Sequence, residues 1–214
     1  RDAPKKRALP LHIQFHIQRF ATLNMMVMSG LTINLVWNPE DGFNNPWGLY
    51  SAATTAFVIL VMMKLFIFDV DYIDETEHAI RRSRLTALSW LMFYPISMGS
   101  ISLMGAGVGL LVADMGQVAT MSVNVNFAQM LTCLSMAVFL LYASIQRNLH
   151  CIPYVKALKR NNECARADML VSIHHMQSAI QAASGCFVAS LPYLQVSSLC
   201  VLVWMAAILI FLVA

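Results

Sequence analysis

The sequence predicts an all-α fold, a polytopic transmembrane bundle of about six helices, on three observations. Of its 214 residues, 58% are hydrophobic and only 12% charged, where a soluble domain usually carries about 25% charged residues. Mean hydropathy is +0.63, and the apolar residues gather into runs of roughly the 20 residues that cross a hydrocarbon core. All fourteen Lys and Arg residues lie outside these runs or at their ends.

Residues 1–18 read as an N-terminal extension, interfacial or extended. Leu11, Ile13, Phe15 and Ile17 alternate with His12, Gln14, His16 and Gln18, and period two is the signature of an extended segment. The start at Arg1 fits either a terminus left by removal of a targeting peptide or the beginning of an ordered region. Residues 19–214 read as the bundle, with spans at about 19–37, 47–68, 87–112, 127–145, 167–189 and 194–214. The fifth is the most polar, since it contains His174, His175, Gln177 and Gln181. A helix on the membrane surface is its alternative, but surface helices usually present a Lys/Arg-rich polar face, and this one offers only His, Gln and Ser.

Charge placement supports six crossings. With six, the N-terminus and segments 69–86 and 146–166 share one side, and all fourteen basic residues fall there, Arg19 and Lys64 at helix ends where they can snorkel. The opposite loops, 38–46, 113–126 and 190–193, contain none. The bias puts the basic face and both termini toward the cytoplasm, matrix or stroma, so an organellar membrane is one of the settings it fits. Trp37 and Trp47 flank an Asn/Pro/Gly-rich loop, as interfacial aromatics do.

Candidate chemistry is sparse. His174 and His175 are the candidate cofactor-binding or proton-path residues, because an ionisable group inside a membrane span is costly unless it is used. A pigment or haem ligand is one use, and a helix–helix hydrogen bond to Ser, Asn or a backbone carbonyl is the structural alternative. As sequence neighbours they point about 100° apart on a helix and are poorly placed to share a metal. His12 and His16 have i, i+4 spacing, but H-E-x-x-H is absent and no third ligand is near. The acids Asp69, Asp71, Asp74, Glu75 and Glu77 lack calcium-loop spacing and read as a self-neutralised helix start before Arg81. Cys133, Cys186 and Cys200 sit in apolar runs, while Cys151 and Cys164 share a loop without a C-x-x-C pair. Gly99, Gly105, Gly107 and Gly109 are small residues of the third span that read as close helix packing, with Gly99, Gly105 and Gly109 the candidate helix-packing residues and Gly105 and Gly109 forming a G-x-x-x-G. No catalytic residue, metal set, phosphate loop or nucleic-acid signature is legible.

Several segments resemble the low temperature requirement A family of membrane proteins. Gln18-Arg19-Phe20 followed by Met25-Met26-Val27-Met28-Ser29-Gly30 is similar to its Glu-Arg-Phe-Gly helix start. Lys64-Leu65-Phe66-Ile67-Phe68-Asp69 looks like its Trp-Leu-Tyr-Phe-Asp helix end. Tyr94-Pro95-Ile96, Gly99, Ala106-Gly107-Val108 and the hairpin through Leu191-Pro192 also fit. The resemblance covers most of this chain but only the C-terminal half of a typical member. Two family carboxylates are absent, with Gln18 in place of Glu and Met28-Ser29-Gly30-Leu31 in place of Leu-Gly-Glu-Ser.

The expectation is a non-catalytic membrane protein, an accessory or scaffold subunit of a larger respiratory or photosynthetic complex. Its partners are then the lipid bilayer and other membrane subunits, with bound pigment or lipid as the candidate cofactors. A transporter or channel for a small solute or proton is the alternative, resting on the fifth span together with Asn24 and Asn34. An enzyme has least support.

Overall fold

A computed structural model describes residues 13–36, 46–71, 84–116, 124–160 and 164–213. Among them are six α-helices and no strand. They are α1 (Ile13–Val36), α2 (Pro46–Asp71), α3 (Arg84–Gly116), α4 (Val125–Arg160), α5 (Cys164–Ser190) and α6 (Ser198–Val213). A 3₁₀ turn, Leu191–Leu194, joins the last two.

Three helices have the length and apolar composition to cross a membrane, over Trp47–Ile67, Leu85–Met115 and Val125–Leu149. This is fewer than the six spans expected, for reasons that differ by helix. In α6 the expected span began at residue 194, but the 3₁₀ turn and Gln195, at φ 52°, consume its start. The sixteen residues that remain reach only about 24 Å at 1.5 Å per residue, short of a hydrocarbon core of about 30 Å. In α5 the polar side chains dilute an otherwise apolar helix. Much of α1 has side chains outside the described set.

Two further boundaries differ from expectation. Helix α1 already begins at Ile13, so the alternation through Gln18 does not make an extended strand there. Residues 146–160, expected as loop, continue α4 without a break. That helix has 36 residues and is about 54 Å long, more than a hydrocarbon core of about 30 Å requires. Pro95 lies inside α3, where it removes the hydrogen bond to the Leu91 carbonyl.

Helix α4 is the centre of the bundle. It packs most extensively on α5 and next on α3, while α2 packs on α6 and α3, and α1 leans on α3. Each apolar helix buries one stripe. In α6 it is Val201, Leu202, Met205, Ala206 and Leu209, while Val203, Trp204, Ile210 and Phe211 face outward. Large apolar side chains are exposed on every helix, among them Met26, Phe57, Met92, Leu134, Met176 and Phe211. Water tolerates no such continuous apolar coat, whereas lipid does. Inside the bundle, Met63, Phe66, Ile101, Met104, Met136, Phe139 and Leu140 are fully buried. The Phe66 and Phe139 rings meet at 5.8 Å.

Candidate functional site

The polar face of α5 turns inward. His174, Ser178, Gln181, Gly185 and Val188 follow i, i+4, i+7, i+11 and i+14 and form one stripe against α4. Gly185 allows the close approach, since a Cβ there would lie 3.3 Å from the Ala137 carbonyl oxygen and 3.6 Å from Leu140 Cβ. Ser144 Oγ donates a 3.2 Å hydrogen bond to the Ser178 carbonyl, and Asn148 Nδ2 donates to the Ser144 carbonyl at 3.0 Å. This helix–helix hydrogen bond runs from a serine hydroxyl to a backbone carbonyl and does not involve His174 or His175.

The two histidines separate as their spacing predicts. His174 is half-buried and its Nδ1 is enclosed without a hydrogen-bond partner, whereas His175 is exposed. Further along, Gln181 is 1% exposed, and neither its amide nitrogen nor its oxygen has a partner. Ser178 Oγ is in the same state. Leaving a buried donor or acceptor unmatched costs about 1–3 kcal/mol per group, so this seam is the least satisfied part of the described interior.

A second buried cluster joins α1, α3 and α4. Phe20 packs on Trp90 and Tyr94 with ring centroids 5.0 and 4.2 Å apart, and Tyr94 Oη donates to the Phe20 carbonyl at 2.5 Å. Beside it, Asn24, Ser97, Tyr142 and Gln146 line a cavity of about 10 Å³, the volume of roughly one water-sized probe. The Asn24 Oδ1 atom is buried there without a partner.

At the other end of the bundle is an open cleft of about 940 Å³, bounded by the start of α2, the end of α3, the start of α4 and the link before α6. Its polar lining includes Asp114, Asn126, Gln129, Gln195 and Ser197. Gln129 Nε2 donates to the Val196 carbonyl at 3.1 Å and to Ser198 Oγ at 3.4 Å. Ser198 Oγ in turn donates to Asp114 Oδ2 at 3.5 Å. Sequence reading assigned Asp114 to a loop and did not single out Gln129 or Ser198. The signal was that no Pro or Gly falls between Val112 and Gly116, so the helix runs past the end of the apolar stretch.

The glycines of α3 differ in exposure. Gly99 is on the outer face, and a Cβ there would meet nothing within 4 Å, so it makes no close contact inside the described chain. Gly105 is buried and Gly109 half-buried. The close approach on this helix is at Gly107, where a Cβ would overlap Thr132 Oγ1 and come within 2.9 Å of the Thr132 backbone nitrogen.

Other sequence candidates fall partly outside the description. His12, Asp74, Glu75 and Glu77 lie outside the described residues, as do the side chains of His16, Asn34, Asp69, Asp71, Cys151 and Cys164. Cys133 is buried, whereas Cys186 and Cys200 are exposed. Among the described residues no group of three or more His, Cys, Asp and Glu is placed to hold a metal. Comparison with known proteins finds no matching family model, no matching curated protein and no matching solved structure.

Proposed function

We propose that this chain is a non-catalytic, multi-span membrane protein that serves as an accessory or scaffold subunit of a larger membrane complex. All six α-helices belong to the bundle in this reading, with the basic ends toward the cytoplasm, matrix or stroma. One observation carries it, the outward face of α3. Pro95, Gly99, Ser102 and Ala106 share that face and are all exposed. Met92, Ile96 and Leu103, 66%, 49% and 52% exposed, flank them. In lipid, where helices gain no hydrophobic drive from one another, a shallow groove of small residues between large ones is the form that lets a second helix approach closely. Nothing in the described chain fills this groove at Gly99.

The resemblance to the low temperature requirement A family belongs to the same proposal. Its support is that Phe20 and Tyr94, drawn from two separately matched segments, meet through rings and a hydrogen bond. Both family carboxylates are replaced here, which favours a packing role over a carboxylate-driven one.

The test is the assembly state of Gly99→Leu after purification from native membranes in mild detergent. The wild-type chain is expected in a complex larger than itself, and the variant is expected to lose that complex while keeping its own melting temperature. Open space at Gly99 and the better helix propensity of Leu, by about 0.8–1 kcal/mol over Gly, protect the fold. A wild-type chain that purifies alone as a monomer would sink the proposal.

A second reading, a transporter or channel for a small solute or proton, is favoured by the unsatisfied seam of His174, Ser178 and Gln181. Reconstituted wild-type protein is then expected to conduct above empty liposomes, and the His174→Ala/His175→Ala double variant to lose that flux. Equal flux with and without protein removes this reading.

A further inference from the structure

We infer that the cleft at the end of the bundle opposite the basic residues is a binding site for a small organic cation, with Asp114 as its charged anchor. The first ground is electrostatic. No Lys or Arg occurs in residues 20–63, 85–146 or 167–214, the stretches that supply every residue lining the cleft. Among the described residues, no Lys or Arg stands at that end of the bundle to neutralise Asp114. A carboxylate beside low-dielectric walls draws a cation strongly, because the same charge interacts far more there than in bulk water.

The second ground is how the carboxylate is held. Val196, Gln129, Ser198 and Asp114 form one chain of hydrogen bonds, and Gln129 and Ser198 are 4% and 7% exposed. Gln129 and Ser198 are buried members of the packed bundle, and Ser198, itself held by Gln129, reaches one carboxylate oxygen of Asp114 at 3.5 Å. A carboxylate offers about four acceptor sites, and an ammonium can use those that face the cleft.

The third ground is size and lining. A cleft of about 940 Å³ is within the roughly 300–1,000 Å³ range of small-molecule sites. A calcium or magnesium ion would instead require about six oxygen ligands at close range, and among the described lining residues Asp114 is the one carboxylate. Tyr193, 77% exposed on the cleft rim, offers a ring face for cation–π contact with an alkylammonium. The site is independent of whether α3 docks against another subunit.

The experiment is thermal denaturation of the purified chain in detergent with tetramethylammonium chloride, n-butylammonium chloride, sodium chloride at matched ionic strength, and n-butanol. A saturable rise in melting temperature is expected with the two ammonium probes alone. Asp114→Asn is expected to weaken it at least about tenfold, and Tyr193→Leu to weaken tetramethylammonium more than butylammonium. Equal shifts with sodium chloride or butanol, no saturable shift, or an undiminished shift in Asp114→Asn would each overturn the assignment. If Asp114→Asn does not fold, Tyr193→Leu decides, since unchanged tetramethylammonium binding overturns the site and weakened binding supports it.

Discussion

Helix α4 is flanked by two interfaces built from the same parts, and they end in opposite states. On its α3 side, Gly107 admits the Thr132 backbone, and Gln129 lies a turn away with its amide donating to Val196 and Ser198. On its α5 side, Gly185 admits the Ala137 carbonyl, and Gln181 lies a turn away with both amide atoms unpartnered. A small residue that lets two backbones close and a buried amide near the contact are present in each. The difference is that the first interface meets the ends of other elements, whose free backbone groups and hydroxyls satisfy the amide. The second is a mid-helix contact, where backbone groups are already used within each helix. Polar residues inside a bundle thus read as structural cement where helix ends converge, and as unspent polarity where helix middles meet.

The largest expected effect tests the tighter of the two contacts. Gly107→Leu would drive a side chain into Thr132 Oγ1 and the Thr132 backbone, and backbone cannot yield as a flexible side chain can. Overpacking of this kind typically costs about 1–3 kcal/mol and sometimes more, and α3 and α4 are both central helices. Denaturation in detergent should show Gly107→Leu much less stable than wild type. Gly185→Ala should fall by a smaller amount, since its nearest contact is 3.3 Å. Equal losses at the two glycines would erase the distinction between the interfaces.

Next in size, and sharper in sign, is the pair of glutamines. Gln129→Leu removes the donor to Val196 and Ser198 and should cost about 1–3 kcal/mol, most of it from groups left unmatched. Gln181→Leu removes a buried amide with no partners and should be neutral or stabilising by a similar physical argument. The check is the direction of the melting-temperature change in the two variants measured side by side. If Gln181→Leu is the more destabilising, the α4–α5 seam holds ordered partners for the amide, and the channel reading gains accordingly.

How much of this was legible follows from which signals are local. Apolar runs and Pro/Gly breakers are local, so the helical class, the helix order and the turn at Leu191-Pro192 could be read directly. The separation of His174 from His175 was equally readable, because it depends only on the helix angle. Hydropathy marks where a chain leaves lipid but not where a helix stops, which is why α4 was ended near residue 145 and Asp114 was placed in a loop. In both cases the helix runs past the apolar stretch, in α4 even through Pro153. The fates of Gln129 and Gln181 were not readable, since the Gln129 partner is 67 residues distant in sequence and its availability depends on the link conformation. Gly107 was legible only as one of four glycines in the third span that read as helix packing. The G-x-x-x-G pattern directs attention to Gly105 and Gly109, yet the side of α3 that meets α4 most closely is set by packing of the whole bundle.

The smallest effect tests whether the seam is held by the Ser144–Ser178 interhelical hydrogen bond or by packing. Ser144→Ala removes the 3.2 Å bond from Ser144 Oγ to the Ser178 carbonyl. That carbonyl is an i→i−4 acceptor within α5, so it remains satisfied when the serine hydroxyl is lost. Interhelical hydrogen bonds of this kind in membrane proteins average about 0.6 kcal/mol, and Ala fills most of the space of Ser. The expected outcome is therefore a loss near that figure, with α4 and α5 still associated through Gly185, Ala137 and Leu140. A loss of several kcal/mol would mean that the hydroxyl organises more of the seam than one bond. The double-mutant cycle of Ser144→Ala with Gln181→Leu would locate that extra coupling, since two independent sites should add within about 0.3–0.5 kcal/mol.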